Sequence, residues 1–245
     1  GFNCGSTLMI SANAGNVAGK VAMTTTISAA SSGLTVVLLA KYAGLTSHFD
    51  LGMGLNGILG GLVSITAGCS VVDPWMAFLI GMVGGTAYYL THYLLLRLHI
   101  DDPLDAFPIH GACGFWGVLA VGIFCTDANV AYAAYPNTND ACARGEQFGV
   151  QLIGALCITA WSVLTASIVM LAMKYTVGMR VTEEIEIQGL DVSEHEWFGA
   201  MKDVFKQRIG SMDSSLKPPA SPGAAGAPPS GNAVHAWPND EENKN

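Results

Sequence analysis

Charges are missing from this chain in long, sharply bounded stretches, and that spacing constrains its fold more than any other feature. No Asp, Glu, Lys or Arg lies between Lys20 and Lys41, between Asp105 and Asp127, or between Glu146 and Lys174. Only Asp73 interrupts the stretch from Asp50 to Arg97. A hydrocarbon core of ~30 Å takes about 20 helical residues at ~1.5 Å each. The charges therefore punctuate a row of spans, at about residues 18–43, 52–69, 75–96, 104–125 and 148–174. Charged residues make up 12% of the chain, against roughly 25% in soluble domains. The expectation is an all-α, polytopic membrane protein whose surroundings are a lipid bilayer.

The spans differ in character. The first carries TTTISAASSG (24–33), whose hydroxyls can bond back to their own helix or across to a neighbour, so it suits a helix shielded from lipid. The second is short and rich in glycine, and the fourth repeats the device with Gly111, Gly114 and Gly117. Small residues at such spacings predict close helix packing. Lys41, Arg97, Lys174 and Arg180 fall on one side of the spans, Lys20 and Arg144 on the other. The excess places the first side, and with it the C-terminus, in the cytoplasm. A net charge of −8 leaves no basic footprint for nucleic acid.

His110 stands in DDPLDAFPIHGACGFWG (101–117), with no charged residue from Ala106 to Thr126. An imidazole at membrane depth either lines a pathway or packs between helices through a hydrogen bond, and the residues themselves leave both readings open. Asp101, Asp102 and Asp105 precede or open this span, where carboxylates cap a helix and meet its dipole favourably. His92 and His99 lie near a helix end, at the membrane boundary; His48, His195 and His235 are expected to be solvated.

The six cysteines form no CxxC or Cys/His spacing and no two histidines stand four apart, so neither metal nor haem ligation is expected. Cys69, Cys125 and Cys142 fall on the outer side, where an oxidising compartment could pair two of them. Cys4, Cys113 and Cys157 read as small apolar fillers. No nucleophile constellation, phosphate loop or cofactor motif is present, so an enzyme is not expected.

Organisation follows composition. Residues 1–177 form the membrane domain. Residues 178–212 are densely charged, with enough apolar residues to dock on a surface, and are expected to be a cytoplasmic tail. Residues 213–245, rich in Pro, Gly, Ala and Ser, are expected to be disordered. The opening GFNCGSTLMISANAGN reads as the end of an earlier helix followed by a loop, so the chain is expected to be the C-terminal portion of a longer protein.

Four stretches, GFNCGS (1–6), NGILGGLVSITAGCSVVDP (56–74), DDPLDAFPIHGACGFWG (101–117) and GMRVTEEIEIQGLDVSEHEW (178–197), together resemble the ammonium transporter family (Amt/Mep/Rh), specifically its Amt branch. The resemblance runs in order from residue 1 to about residue 200. It implies helices seven to eleven of eleven, preceded by the end of helix six. It also implies two inverted repeats around a narrow pore, a homotrimer when full length, and a multi-pass protein of the plasma membrane. Ammonium or ammonia would be the substrate, with methylammonium as an analogue.

By the same resemblance His110 is one of two pore histidines, Phe2 one of two stacked phenylalanines closing the outer mouth, and Ser6 a hydroxyl that helps hold ammonium above that gate. Asp101, Asp102 and Asp105 belong to a cytoplasmic loop that meets the C-terminal tail. The segment from Gly178 to about Trp197, including Arg180, Gly189 and Asp191, is implied to pack under a neighbouring subunit and couple their activity. Ser193 falls where plant relatives carry a phosphorylatable threonine, and phosphate there would repel Asp191, Glu194 and Glu196. Two other readings stand beside transport. One is an ammonium sensor; the other is an inactive fragment that inserts but, lacking half of its pore, carries nothing.

Overall fold

The computed structural model describes residues 1–43, 49–135 and 140–188, and every regular element among them is helical. Two compact units divide the chain, Gly1–Tyr175 and Thr176–Asn245. In chain order the helices of the first unit are α1 (Phe2–Gly5), α2 (Ala14–Tyr42), α3 (Leu51–Thr66) and α4 (Pro74–Arg97). A π-helical turn (Phe107–Ala112) then runs directly into α5 (Cys113–Phe124), followed by α6 (Asp127–Tyr132) and α7 (Arg144–Thr176). The described part of the second unit holds α8 (Glu183–Gln188), where Arg180 pairs with Glu186.

Four of these segments are long and apolar enough to cross a membrane: Ala14–Tyr42, Pro74–Arg97, Phe107–Phe124 and Gly145–Thr176. The chain is a multi-pass membrane protein. The expected span at 52–69 is shorter than read from the sequence. α3 has 16 residues, ~24 Å of helix, and ends at Thr66 because the chain turns there, with Gly68 N donating to Ile65 O and Val71 N to Gly68 O. The fourth span also starts later than residue 104. Asp105 adopts a left-handed backbone (φ 54°), and Asp102 accepts hydrogen bonds from Ala106 N and Phe107 N, so the helix begins beyond them. Asp50 caps α3 by accepting from Met53 N at 3.0 Å, and Pro74 opens α4, where its missing N–H costs nothing.

α2 is the inner pillar that the hydroxyl-rich stretch predicts. Ser28 donates to Gly61 O at 2.9 Å, Ser32 to Gly57 O at 2.6 Å and Ser31 to Phe78 O at 3.0 Å, so α2 is tied to both α3 and α4. The small residues facing these serines let the backbones close in: a Cβ on Gly61 would sit 2.5 Å from Ser28 O. α5 packs the same way on α3, where a Cβ on Gly117 would sit 2.6 Å from Ser64 O, and Trp116 Nε1 reaches across to Ile80 O.

Two apolar clusters stack along this bundle. One, around Ile65, Val72, Ile80 and Val121, lies toward the end that carries a disulfide between Cys125 and Cys142. The other, around Val36, Tyr88, Ile109 and Cys113, lies toward the end where α4 finishes. Cys69, one of the three candidates for pairing, stays a free thiol. Of the expected fillers, Cys113 is buried with its thiol donating to Gly84 O at 3.3 Å and Cys4 is half-buried, but Cys157 is exposed. It lies on α7, most of whose apolar side chains are exposed, Trp161 at 68% among them, while Ala155 is buried. A helix with no polar face is one that meets lipid or another apolar surface.

Candidate functional site

Phe2 and His110, far apart in sequence, line a single cavity of about 580 Å³. Its other walls are largely apolar and include Leu62, Val63, Gly114 and Val118, with the hydroxyls of Thr25 and Thr66 as polar relief. α1 brings Phe2 there because Asn3, buried beside it, donates to Thr25 Oγ1 of α2 at 3.2 Å. Phe2 itself is 81% exposed.

His110 reaches the cavity because it sits in the π-helical turn. Seen along the axis, the packed face of α5 is an arc holding Cys113, Gly117, Ala120 and Val121, all buried. Counted back from Cys113 at the ~100° step of an α-helix, His110 would fall about 60° away, inside that arc. A π-helix closes its hydrogen bonds one residue later and steps by about 80°, which moves His110 to about 120° and brings Ile109 to about 40°. Ile109 is indeed buried, at 3% exposure, while His110 is exposed. Among the described residues the His110 imidazole has no hydrogen-bonding partner, which distinguishes it from a histidine that packs between helices. Both ring nitrogens are left for something in the cavity.

Ser6 lies next door. Its hydroxyl donates to Phe2 O at 2.9 Å and lines a second cavity of about 460 Å³, which shares Asn3, Thr66 and Ala67 with the first. Beside it, Lys20 Nζ donates to Ser70 O at 3.0 Å and to Asn129 Oδ1 at 2.6 Å, and Asn129 Nδ2 donates to Asp73 Oδ1 at 2.9 Å.

The three carboxylates of the 101–105 stretch part company. Asp101 is exposed, Asp102 caps the helix start, and Asp105 turns inward. Its carboxylate accepts from Tyr88 Oη at 2.7 Å and Asn56 Nδ2 at 2.9 Å, and contacts His92 Nδ1 at 2.6 Å. Tyr88 and His92 stack with ring centroids 6.0 Å apart. Reading His92 as a membrane-boundary residue missed this: it is buried at 8% exposure against a carboxylate. The available signal was its i,i+4 spacing from Tyr88, which puts two polar rings on one helix face.

Gly178 has a left-handed backbone (φ 82°), and Arg180 is paired with Glu186. Gly189, Asp191 and Ser193, with the charged segment around them, lie outside the described residues. Among the described residues, no group of three or more His, Cys, Asp or Glu side chains is placed to hold a metal ion.

Residues 1–200 match the model of the Ammonium Transporter Family. The chain is 36% identical over 201 residues to the ammonium transporter Amt2 of Archaeoglobus fulgidus, covering 80% of this chain and 41% of that protein. Among solved structures it resembles Mep2 of Saccharomyces cerevisiae, with a TM-score of 0.62 and 32% identity over 69% of this chain and 38% of that one. A structure described as a sensor Amt protein gives 0.66 and 34%, over 79% and 45%. The chain spans less than half the length of the curated relatives it matches.

Proposed function

The chain belongs to the Ammonium Transporter Family, and from that premise we propose that it carries ammonium across the membrane through a pathway lined by His110 with Phe2 at its outer mouth. One observation carries the reading: Phe2 and His110, which has no hydrogen-bonding partner among the described residues, line the same largely apolar cavity. An aromatic face and nearby hydroxyls replace part of the water a cation loses on entering. Beyond them the apolar walls penalise charge, so NH4+ gives up a proton there. The N–H bond breaks with its electron pair left on nitrogen, and the proton passes to an imidazole nitrogen or to water. Neutral NH3 then continues along the imidazole, which can accept from it and donate to it.

We place residues 1–177 in the plasma membrane and residues 178–212 in the cytoplasm, as a tail that couples the subunits of a homotrimer. Asp101, Asp102, Asp105, Gly178 and Arg180 belong to that coupling region, together with Gly189 and Asp191, and Ser193 is its phosphorylation site. The test is to replace His110 with Ala in the full-length protein and measure ammonium uptake in cells lacking other transporters. Uptake, or its discrimination against K+, should fall at least tenfold, whereas unaltered rate and selectivity would return His110 to a packing role.

The second reading, an ammonium sensor, is supported by the likeness to a structure described as a sensor Amt protein. Flux separates the two: full-length protein in vesicles that binds ammonium and passes none is a sensor.

A further inference from the structure

The π-helical turn has to be held, because a chain free to relax prefers the α-helix. Its two ends are fixed by different groups. At the far end Cys113 is buried, its thiol donating to Gly84 O of α4 and its carbonyl accepting from Ser64 of α3. At the near end stands Asp105, whose backbone is left-handed and whose carboxylate is tied to Asn56 of α3 and to Tyr88 and His92 of α4. Asp105 O also accepts from Ile109 N at 3.0 Å, an α-type bond that leads into the turn. Both anchors therefore grip the same two helices, one on each side of the π-helical turn.

We propose that Asp105 is a positioning residue: its carboxylate, gripped by Asn56, Tyr88 and His92, holds the π-helical turn and so aims His110 into the cavity. Loss of the grip lets the turn relax toward α-helix. His110 then swings by about 60°, from the cavity toward the face packed on α3 and α4. The consequence for transport rests on the pathway reading of His110, but the consequence for geometry does not.

The test separates the two. In full-length protein with Cys4, Cys69 and Cys157 replaced by Ala, His110→Cys is labelled in vesicles with a small thiol reagent, with and without Asp105→Asn. Folding is followed by elution on size exclusion. Labelling should fall at least fivefold with Asp105→Asn, and should fall by less with Tyr88→Phe, which removes one donor and keeps the ring. Unchanged labelling in correctly folded Asp105→Asn overturns the proposal. If Asp105→Asn does not fold, unchanged labelling in Tyr88→Phe overturns it. In the parallel transport assay, Asp105→Asn should reduce uptake in the His110 protein and add nothing to His110→Ala, whereas additive losses would overturn the coupling between them. Reduced labelling together with normal transport by His110→Ala leaves the positioning intact and defeats the pathway reading alone.

Discussion

A Cβ on Gly81 of α4 would lie 2.2 Å from the backbone carbonyl oxygen of Ser28 in α2, so the two helices meet backbone to backbone. The same carbonyl blocks Gly61 of α3 from the other side. Ser28 is thus a point where three helices converge, with only the small side chains of Ser28, Ser31 and Ser32 among them, and the glycines there are a steric requirement.

Gly81→Ala should accordingly cost about 3 kcal/mol, since neither backbone can yield without moving a whole helix. Gly114→Ala is the contrasting case. Its nearest neighbour, Val63 Cγ1, stands at 3.6 Å, an ordinary contact, and the site opens on the cavity. Thermal unfolding in detergent should show a clear loss for the first and less than about 0.5 kcal/mol for the second. Similar melting of both variants would mean that the helices are less tightly apposed at Ser28.

Lys20→Met should loosen the loop that follows α3. The ammonium group binds Ser70 O and Asn129 Oδ1, both neutral acceptors, and removing it leaves them short of a donor at about 1–3 kcal/mol. Because those partners carry no charge, the loss should be the same at low and high salt. A loss abolished by 1 M salt would instead assign the contribution to long-range attraction toward Asp73.

The Cys125–Cys142 disulfide closes a loop with a sequence separation of 17. Loops of about that length gain up to about 3 kcal/mol from a cross-link. Cys142→Ala should lower the melting temperature in detergent, while Cys69→Ala, which removes a free thiol, should not. Peptide mapping without reductant should recover residues 125 and 142 in one linked fragment. A link through Cys69 would refute the pairing.

Ser6→Ala should leave the fold intact, because Phe2 O keeps its bond from Ser6 N at 3.1 Å. Any kinetic change therefore reports on substrate. In the full-length protein the apparent KM for ammonium should rise several-fold with the maximal rate unchanged. An unaltered KM would remove Ser6 from recruitment.

The bilayer-spanning plan was legible because charge is costly in hydrocarbon, so the gaps between Lys20 and Lys41 or Glu146 and Lys174 could hardly mean anything else. The hydroxyl-rich TTTISAASSG was legible for the same reason, since its serines must find acceptors, and they do so on α3 and α4. His110 was not decidable from periodicity. A 3.6-residue wheel places it beside Gly117 on the packed face, and only the π-helical turn, which no local residue pattern announces, takes it out. The Asp105 cluster was hidden differently. Its members come from α3, from α4 and from the stretch before the turn, so only Tyr88 and His92 show any sequence relationship. The disulfide fell between these cases: the side of the membrane narrowed it to three cysteines, and the fold chose two.

The serines of α2 also carry a timetable. Ser28 and Ser32 bond to α3, and Ser31 bonds to α4, the next two helices to be made. A nascent chain lengthens by about 5–20 residues per second, so α2 waits only seconds for the carbonyls that its hydroxyls will meet. Nothing synthesised later is needed to complete those three bonds. The triplet can therefore close as a unit while α5 is still inside the ribosome and α7 is still to be made, and the cavity that His110 later enters has one wall standing before His110 has left the membrane insertion machinery.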